Sequence, residues 1–179
     1  MPGRLTACPP CGRDRCVPRI RAATPADVPV ILRLVRDLAG YERAPDAVVA
    51  TEEDFLRHGF GPQPRFSVLI AEEDGQVAGF ALWFFTFSTW LGRPGLYLED
   101  LFVRPELRGR GIGKAMMIEL ARIAIREGCG RFEWSVLDWN QPSIDFYRGL
   151  GARLMEEWVV CRLEGEALRS LAGRGDQVR

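Results

Sequence analysis

Apolar residues recur at helical spacing near the start of the chain, where Val28, Ile31, Leu32, Val35 and Leu38 line one face. Thr24-Pro25-Ala26-Asp27 supplies a start signal, with Thr24 as N-cap and Pro25 at the first helical position. Gly40 reads as the stop. Residues 17–22 read as a short strand before this helix, and Thr51-Glu-Glu-Asp opens a second helix running to about His58. The period then shortens. Residues 66–72 are an apolar run that ends at the turn signal Glu73-Asp74-Gly75, and 77–87 continue as a long strand. Residues 90–95 read as a loop, and 96–103 as a strand that Pro105 ends. Residues 111–127 are a helix with Met116, Met117, Leu120, Ile123 and Ala124 as its buried stripe and Gly128 as its cap. A strand over 132–137, a short helix over 140–150, a last strand over 158–163 and a helical tail from about Glu164 complete the chain. Strand, two helices, three strands, helix, strand, helix, strand: this order predicts an α/β or α+β domain with a mixed sheet.

Length sharpens that picture: 179 residues suit one domain, large enough to bury a core without disulfides or metal. The Pro/Gly/Arg-rich stretch 1–17 lacks hydrophobic periodicity, so it is expected to be a disordered tail, with the domain over 18–172 and a flexible end at 173–179. Lys plus Arg and Asp plus Glu both number 24, so there is no global basic surplus to bind nucleic acid. Apolar runs such as Phe80 to Phe85 fall far short of a membrane span. The N-terminus lacks an apolar signal core, so the cytoplasm is the expected compartment. Cys8-Pro-Pro-Cys11 has zinc-knuckle spacing, but with Cys16 it offers three ligands and the lone His58 lies far away, so no metal is expected. Cys129 and Cys161 sit in apolar contexts and read as small core residues.

The candidate chemistry begins where the strand Leu101-Phe102-Val103 ends. Pro105 breaks it, and Arg108-Gly109-Arg110-Gly111-Ile112-Gly113-Lys114 leads into a helix. The first N–H groups of a helix lack internal partners and sit at the positive end of its dipole. Glycines admit a pyrophosphate close to the backbone, and Arg108 and Arg110 add charge. A dinucleotide fingerprint starting at Gly109 fails, because its sixth position is Lys114; a P-loop fails at Arg108 and Ala115. The pattern Arg-Gly-x-Gly-x-Gly after Leu-Phe-Val resembles the acetyl-CoA motif of the GNAT acetyltransferases. That resemblance implies a GNAT fold, its mixed, mostly antiparallel sheet splayed at the cofactor and flanked by helices. It also implies acetyl-CoA as the acetyl donor, cradled by residues 101–103 and 108–114.

A second block, Asn140-Gln-Pro-Ser143-Ile-Asp-Phe-Tyr147 through Gly151-Ala152, carries a capping residue and a face shared by Ile144 and Tyr147. Alone, such a tyrosine reads as a core aromatic. The run also resembles the last GNAT motif, which implies that Tyr147 donates a proton to the departing thiolate and that Asn140 and Ser143 hydrogen-bond the cofactor.

Over residues 19–172 the chain is most similar to the diamine acetyltransferases, the spermidine/spermine group and its thialysine-acetylating relatives. The likeness runs through Ile20-Arg-Ala-Ala-Thr-Pro-Ala-Asp, Leu38-Ala-Gly-Tyr41-Glu42, Trp90-Leu-Gly and Tyr97-Leu-Glu99-Asp100. It implies a homodimer acting on a small cationic amine: a polyamine, a short diamine or a lysine-like amine. Glu99 is then the general base. Tyr41, Glu42, Trp90, Glu99 and Asp100 contact the amine, and Glu156 and Trp158 reach the partner's site, with Glu157 as the neighbour that could replace Glu156. In a regular strand Glu99 and Asp100 point to opposite faces, and a bulge would bring both toward the cleft. By residue type alone the pair reads as solvated. Ser88 stands where the polyamine enzymes carry an acid, which disfavours a long polycation. A protein amine as substrate, or a non-catalytic CoA-binding module, are the competing readings.

Overall fold

The computed structural model describes residues 18–174. The expectations for Cys8, Cys11, Cys16 and the rest of the N-terminal stretch, and for the end of the chain beyond 174, lie outside them. The described chain forms two compact units, one ending at Ser135 and one beginning at Val136.

The first unit is built on a five-stranded sheet in the order β1 (Arg19–Ala22), β2 (Ser67–Glu73), β3 (Gln76–Ser88), β4 (Arg93–Val103) and β5 (Arg131–Trp134). The first four strands are antiparallel and β5 is parallel to β4, so the sheet is mixed. Asp74 and Gly75 both take positive φ, 52° and 76°, the two-residue turn that matches strand twist. Helices α1 (Val28–Tyr41) and α2 (Glu52–Phe60) cover one sheet face. There Ile31, Leu32, Leu34 and Phe55 pack with Val68, Ile70, Phe80, Leu82 and Phe102 in one buried cluster. Alternate strand residues such as Leu69 and Ala81 are buried too, because α3 (Ile112–Arg126) lays its Met116, Met117, Leu120 and Ile123 stripe on the other face.

Capping follows the sequence signals with two changes. Thr24 precedes a 3-10 turn, Pro25–Asp27, rather than α1 itself. Its N–H and hydroxyl donate to Asp27, whose carboxylate takes both terminal nitrogens of Arg21 at 2.7 and 2.8 Å. Arg21 also binds Glu72 at 2.7 Å, tying β1, β2 and the start of α1 together. The Arg21 guanidinium and the Thr24 donors hold the Asp27 carboxyl far below the usual carboxylate range. Gly40 does not close α1. The helix runs to Tyr41, and the reversal falls on Arg43 at φ 65°.

Strand β4 starts at Arg93, three residues before the expected point. Pro94 pairs opposite Phe87 at the hairpin end, and a side chain on Gly95 would meet the Thr86 hydroxyl at 2.6 Å. β5 is shorter than expected and stops at Trp134.

The second unit holds α4 (Gln141–Gly149) and α5 (Gly165–Gly173). The last strand expected over 158–163 is absent. Those residues take no regular structure, and Trp158, Val159 and Val160 are 66%, 84% and 77% exposed, an apolar run that pairs with no strand among the described residues. Cys161 lies in the same segment and is exposed, so it is no core residue; Cys129 is half-buried.

Candidate active site

Strand β4 changes face part-way along its length. Trp83 pairs with Leu98 but Leu82 pairs with Asp100, so Glu99 is an extra residue on β4. In a regular strand that kept Glu99 paired, Asp100 would share a face with Leu98. The bulge turns it instead onto the face of Leu82 and Phe102, beneath α1 and α2. Glu42, the residue that ends α1, approaches from that layer.

Glu42 and Glu99 thus both act on Asp100. Burial, with Glu99 and Glu42 adding negative field, pushes the Asp100 carboxyl up to about 6. Burial also raises Glu42 above its ordinary value. A group of acids held this way is relieved by a cation. The sign of the linkage follows from the raised value: the Asp100 contribution to stability is present below the unfolded value near 4 and lost as pH rises through about 6. Asp100→Asn is therefore expected to stabilise the ligand-free protein at neutral pH by on the order of 1–3 kcal/mol. It should also flatten the stability profile between pH 4 and 7. Thermal melts of both proteins across that range check this; an unchanged or lower neutral melting temperature rules it out.

The same bulge lies where the sheet opens. β5 pairs with β4 only over Gly95 to Leu98. From Glu99 to Val103 no strand among the described residues covers the edge of β4 away from β3. Such an edge presents N–H and C=O groups to any extended chain laid along it. Phe102 is buried in the core under α1, so it can offer only its backbone, while Leu101 and Val103 are half-buried.

Past Val103 the chain passes Pro105 and reaches the glycine loop. Gly109 and Gly111 take φ of 75° and 89°, and a Cβ on either would meet no heavy atom within 4 Å. Gly111 is the N-cap of α3 and gives it no side chain, and no acid stands in the first turn. The N–H groups of Ile112, Gly113 and Lys114 are thus left for an external anion. Ile112 is buried and anchors the turn, and Lys114 is exposed. These features fit a pyrophosphate.

The two arginines are otherwise engaged. Arg108 Nε donates to the Val103 carbonyl at 3.0 Å, and its guanidinium lies over the Tyr41 ring, 4.6 Å from the centroid. Arg110 pairs with Glu73 at 3.1 Å and also donates to the Glu106 carbonyl. In this arrangement they brace the loop against α1 and β2.

In the second unit, Asn140 is buried and its side-chain oxygen accepts from the Ser143 N–H, capping α4. Tyr147 is buried one helical turn after Ser143. Glu156 and Trp158 are exposed.

Trp90 is 89% exposed at the tip of the β3–β4 hairpin. Six strand rungs separate Ser88 from Leu82, the partner of Asp100, roughly 20 Å. One chain therefore does not bring Trp90 to the carboxylates. Ser88 is buried at the same tip, where its hydroxyl accepts from the Leu91 N–H at 3.3 Å, so its side chain holds the turn.

The sequence reading did not single out Arg33, Arg36 and Arg104, which with Tyr41 and Phe102 line a groove of about 620 Å³. The spacing 33, 36, 37, 40, 41 on the polar side of α1 was the available signal.

The chain matches the Acetyltransferase (GNAT) family profile over residues 31–152. It is 43% identical over 166 residues to the thialysine N-epsilon-acetyltransferase of Sus scrofa, covering 87% of this chain and 97% of that one. It is 32% identical to the L-ornithine N5-acetyltransferase of Arabidopsis thaliana over 202 residues, covering 88% and 89%. A spermidine/spermine N(1)-acetyltransferase-like protein of Homo sapiens is 40% identical over 164 residues, 86% of this chain but 24% of that protein. Among solved structures, an integron cassette protein from the mobile metagenome of V. cholerae superposes with a TM-score of 0.74 at 30% identity, covering 87% and 97%.

Proposed function

The chain belongs to the GNAT acetyltransferase family, and from that premise we propose that it transfers acetyl from acetyl-CoA directly to a primary amine of a small cationic substrate. The observation that carries the amine side is the bulge at Glu99, which gathers Glu42, Glu99 and Asp100 into one acidic group.

Acetyl-CoA, when bound, supplies an acetyl group activated as a thioester. The chain's own residues do the rest. The amides of residues 112–114 and the glycines at 109 and 111 hold the pyrophosphate, and Lys114 adds charge. The free edge of β4 over 101–103 holds the extended arm and offers an N–H to the thioester oxygen. Asn140 and Ser143 add hydrogen bonds. Glu42 and Asp100 hold the ammonium, with Tyr41 beside them. A primary amine is protonated at neutral pH, so a proton must leave before attack; Glu99 receives it, directly or through water. Tyr147 Oη gives a proton to the sulfur as the C–S bond breaks. Alignment of amine and thioester supplies much of the remaining rate.

The exposed Trp90, Trp158, Val159 and Val160 support a homodimer in which Trp90, Glu156 and Trp158 complete the site of the partner. The cytoplasm is the proposed compartment. No described helix is long and apolar enough to cross a membrane, and neither membrane nor nucleic acid enters this reading.

A panel of diamines, polyamines and basic amino acids, assayed with acetyl-CoA for release of free thiol, tests the reaction. Amine-dependent thiol release supports the proposal. CoA binding without turnover on any amine would make the chain a binding module instead.

A further inference from the structure

The groove between α1 and the end of β4 carries charges that acetyl transfer does not use. Arg33, Arg36 and Asp37 come from α1, and Arg104 and Glu106 from the chain just past β4. Neither Glu42, Glu99 and Asp100 nor the loop amides of residues 112–114 line it. Elsewhere on the first unit neighbouring opposite charges close on one another, as at Arg21, Arg57, Arg110 and Arg122. In the groove they stay apart. Among the described residues none of its three arginines forms an ion pair, and neither does Asp37 or Glu106. Arg33 and Arg36 are exposed, but the Nε of Arg104 is buried and has no hydrogen-bond partner. A buried N–H without an acceptor is unfavourable, so an acceptor from outside the chain would relieve it.

Gly40 opens the space. It lies within α1 and its φ is not positive, so no turn requires a glycine there. A Cβ on it would meet no heavy atom within 4 Å. Glycine inside a helix is unfavourable; what it leaves here is room, in a groove of about 620 Å³, the size of a small-molecule site.

The charges select the ligand. Arg33 and Arg36 share a face of α1 at i, i+3 spacing, and Arg104 comes from the other element. Guanidiniums on two walls suit the three terminal oxygens of a phosphate monoester, whereas a single fork satisfies the two coplanar oxygens of a carboxylate. Ionised Asp37 and Glu106 only accept hydrogen bonds, so the body of the ligand must donate, and hydroxyls do so without adding charge. The same two acids repel a second phosphate, which disfavours a polyphosphate.

We propose that this groove binds a small hydroxylated phosphate monoester of the sugar-phosphate type. Arg33, Arg36 and Arg104 hold its phosphate, and Asp37 and Glu106 accept from its hydroxyls. The site is separate from those for acetyl-CoA and the amine.

Calorimetry on the full chain loaded with CoA tests it, with ribose 5-phosphate, ribose, inorganic phosphate and succinate as probes. Ribose 5-phosphate should bind about tenfold or more tightly than inorganic phosphate or succinate, and ribose should give no saturable heat. Its affinity should be the same with and without CoA and should fall as salt is added. Arg33→Met should weaken it about tenfold, and Gly40→Leu should abolish it by filling the groove. Both positions lie on α1 and hold no part of the acetyl-transfer machinery, so fold and acetyl-CoA affinity should stay near those of the unaltered chain. Arg104→Met should weaken binding as Arg33→Met does; if it fails to fold, the two α1 variants still decide. Absence of saturable ribose 5-phosphate binding overturns the proposal, as does succinate binding equally well. Loss of binding on CoA loading overturns it too, since the groove would then serve the cofactor. Unchanged binding in Gly40→Leu and Arg33→Met would place the ligand elsewhere. None of these readouts needs an amine or turnover, so failure of acetyl transfer and failure of this site are told apart.

Discussion

Tyr147→Phe is expected to lower turnover by roughly 10²-fold or more while acetyl-CoA affinity stays within a few-fold. The change removes one oxygen. The ring keeps its buried place in α4, and the Tyr147 carbonyl still accepts from the N–H groups of Leu150 and Ala152 that close the helix. Stability should fall by no more than about 1 kcal/mol, the worth of one hydroxyl contact. What disappears is a proton donor for the sulfur as it leaves, an interaction needed in the transition state and not for binding. A drop in kcat with constant KM for both substrates is the expected pattern. Undiminished kcat would remove Tyr147 from the mechanism and leave water as the donor.

Gly111→Val is expected to reduce CoA affinity by at least 100-fold in a protein that still folds. Two effects add. A β-branched residue at φ 89° is strained, by on the order of 1–3 kcal/mol. Its side chain would also fill the open space over the first amides of α3, where a pyrophosphate must come close. The buried stripe from Met116 to Ile123 holds α3 to the sheet, so the strain should lower the melting temperature without abolishing the fold. Calorimetry with CoA measures the affinity and circular dichroism the fold. Near-normal affinity in a folded variant would move the phosphate site away from this loop.

The periodic elements were legible in the sequence because their signals are local. Thr51 precedes α2, Asp74-Gly75 turns the first hairpin and Gly111 opens α3, as the residue types predict. The errors arose where a nonlocal partner decides. The run from Trp158 to Val160 has strand composition but pairs with no strand among the described residues, and a strand is stabilised by its neighbour rather than by propensity alone. Pro94 and Gly95 look like loop residues, yet they pair because β3 runs on to Ser88. At the site, the glycine loop could be read from type and order. The engagement of Arg108 with Tyr41 and of Arg110 with Glu73 could not, since those contacts span 67 and 37 positions. Ser88 looked like a missing charge, and the structure gives it a turn to hold.

The bulge at Glu99 makes the length of β4 a constraint of its own. Deleting one residue between Leu98 and Asp100 would restore simple alternation. Leu98 would stay opposite Trp83 and Asp100 opposite Leu82, so that gap would remove only the Glu99 carboxylate, whereas a gap at Leu101 would turn Phe102 off the core face. Natural variation among related chains should therefore show substitutions along this strand but few gaps. Insertions should gather instead at the hairpin tip around Trp90, where nothing downstream depends on parity.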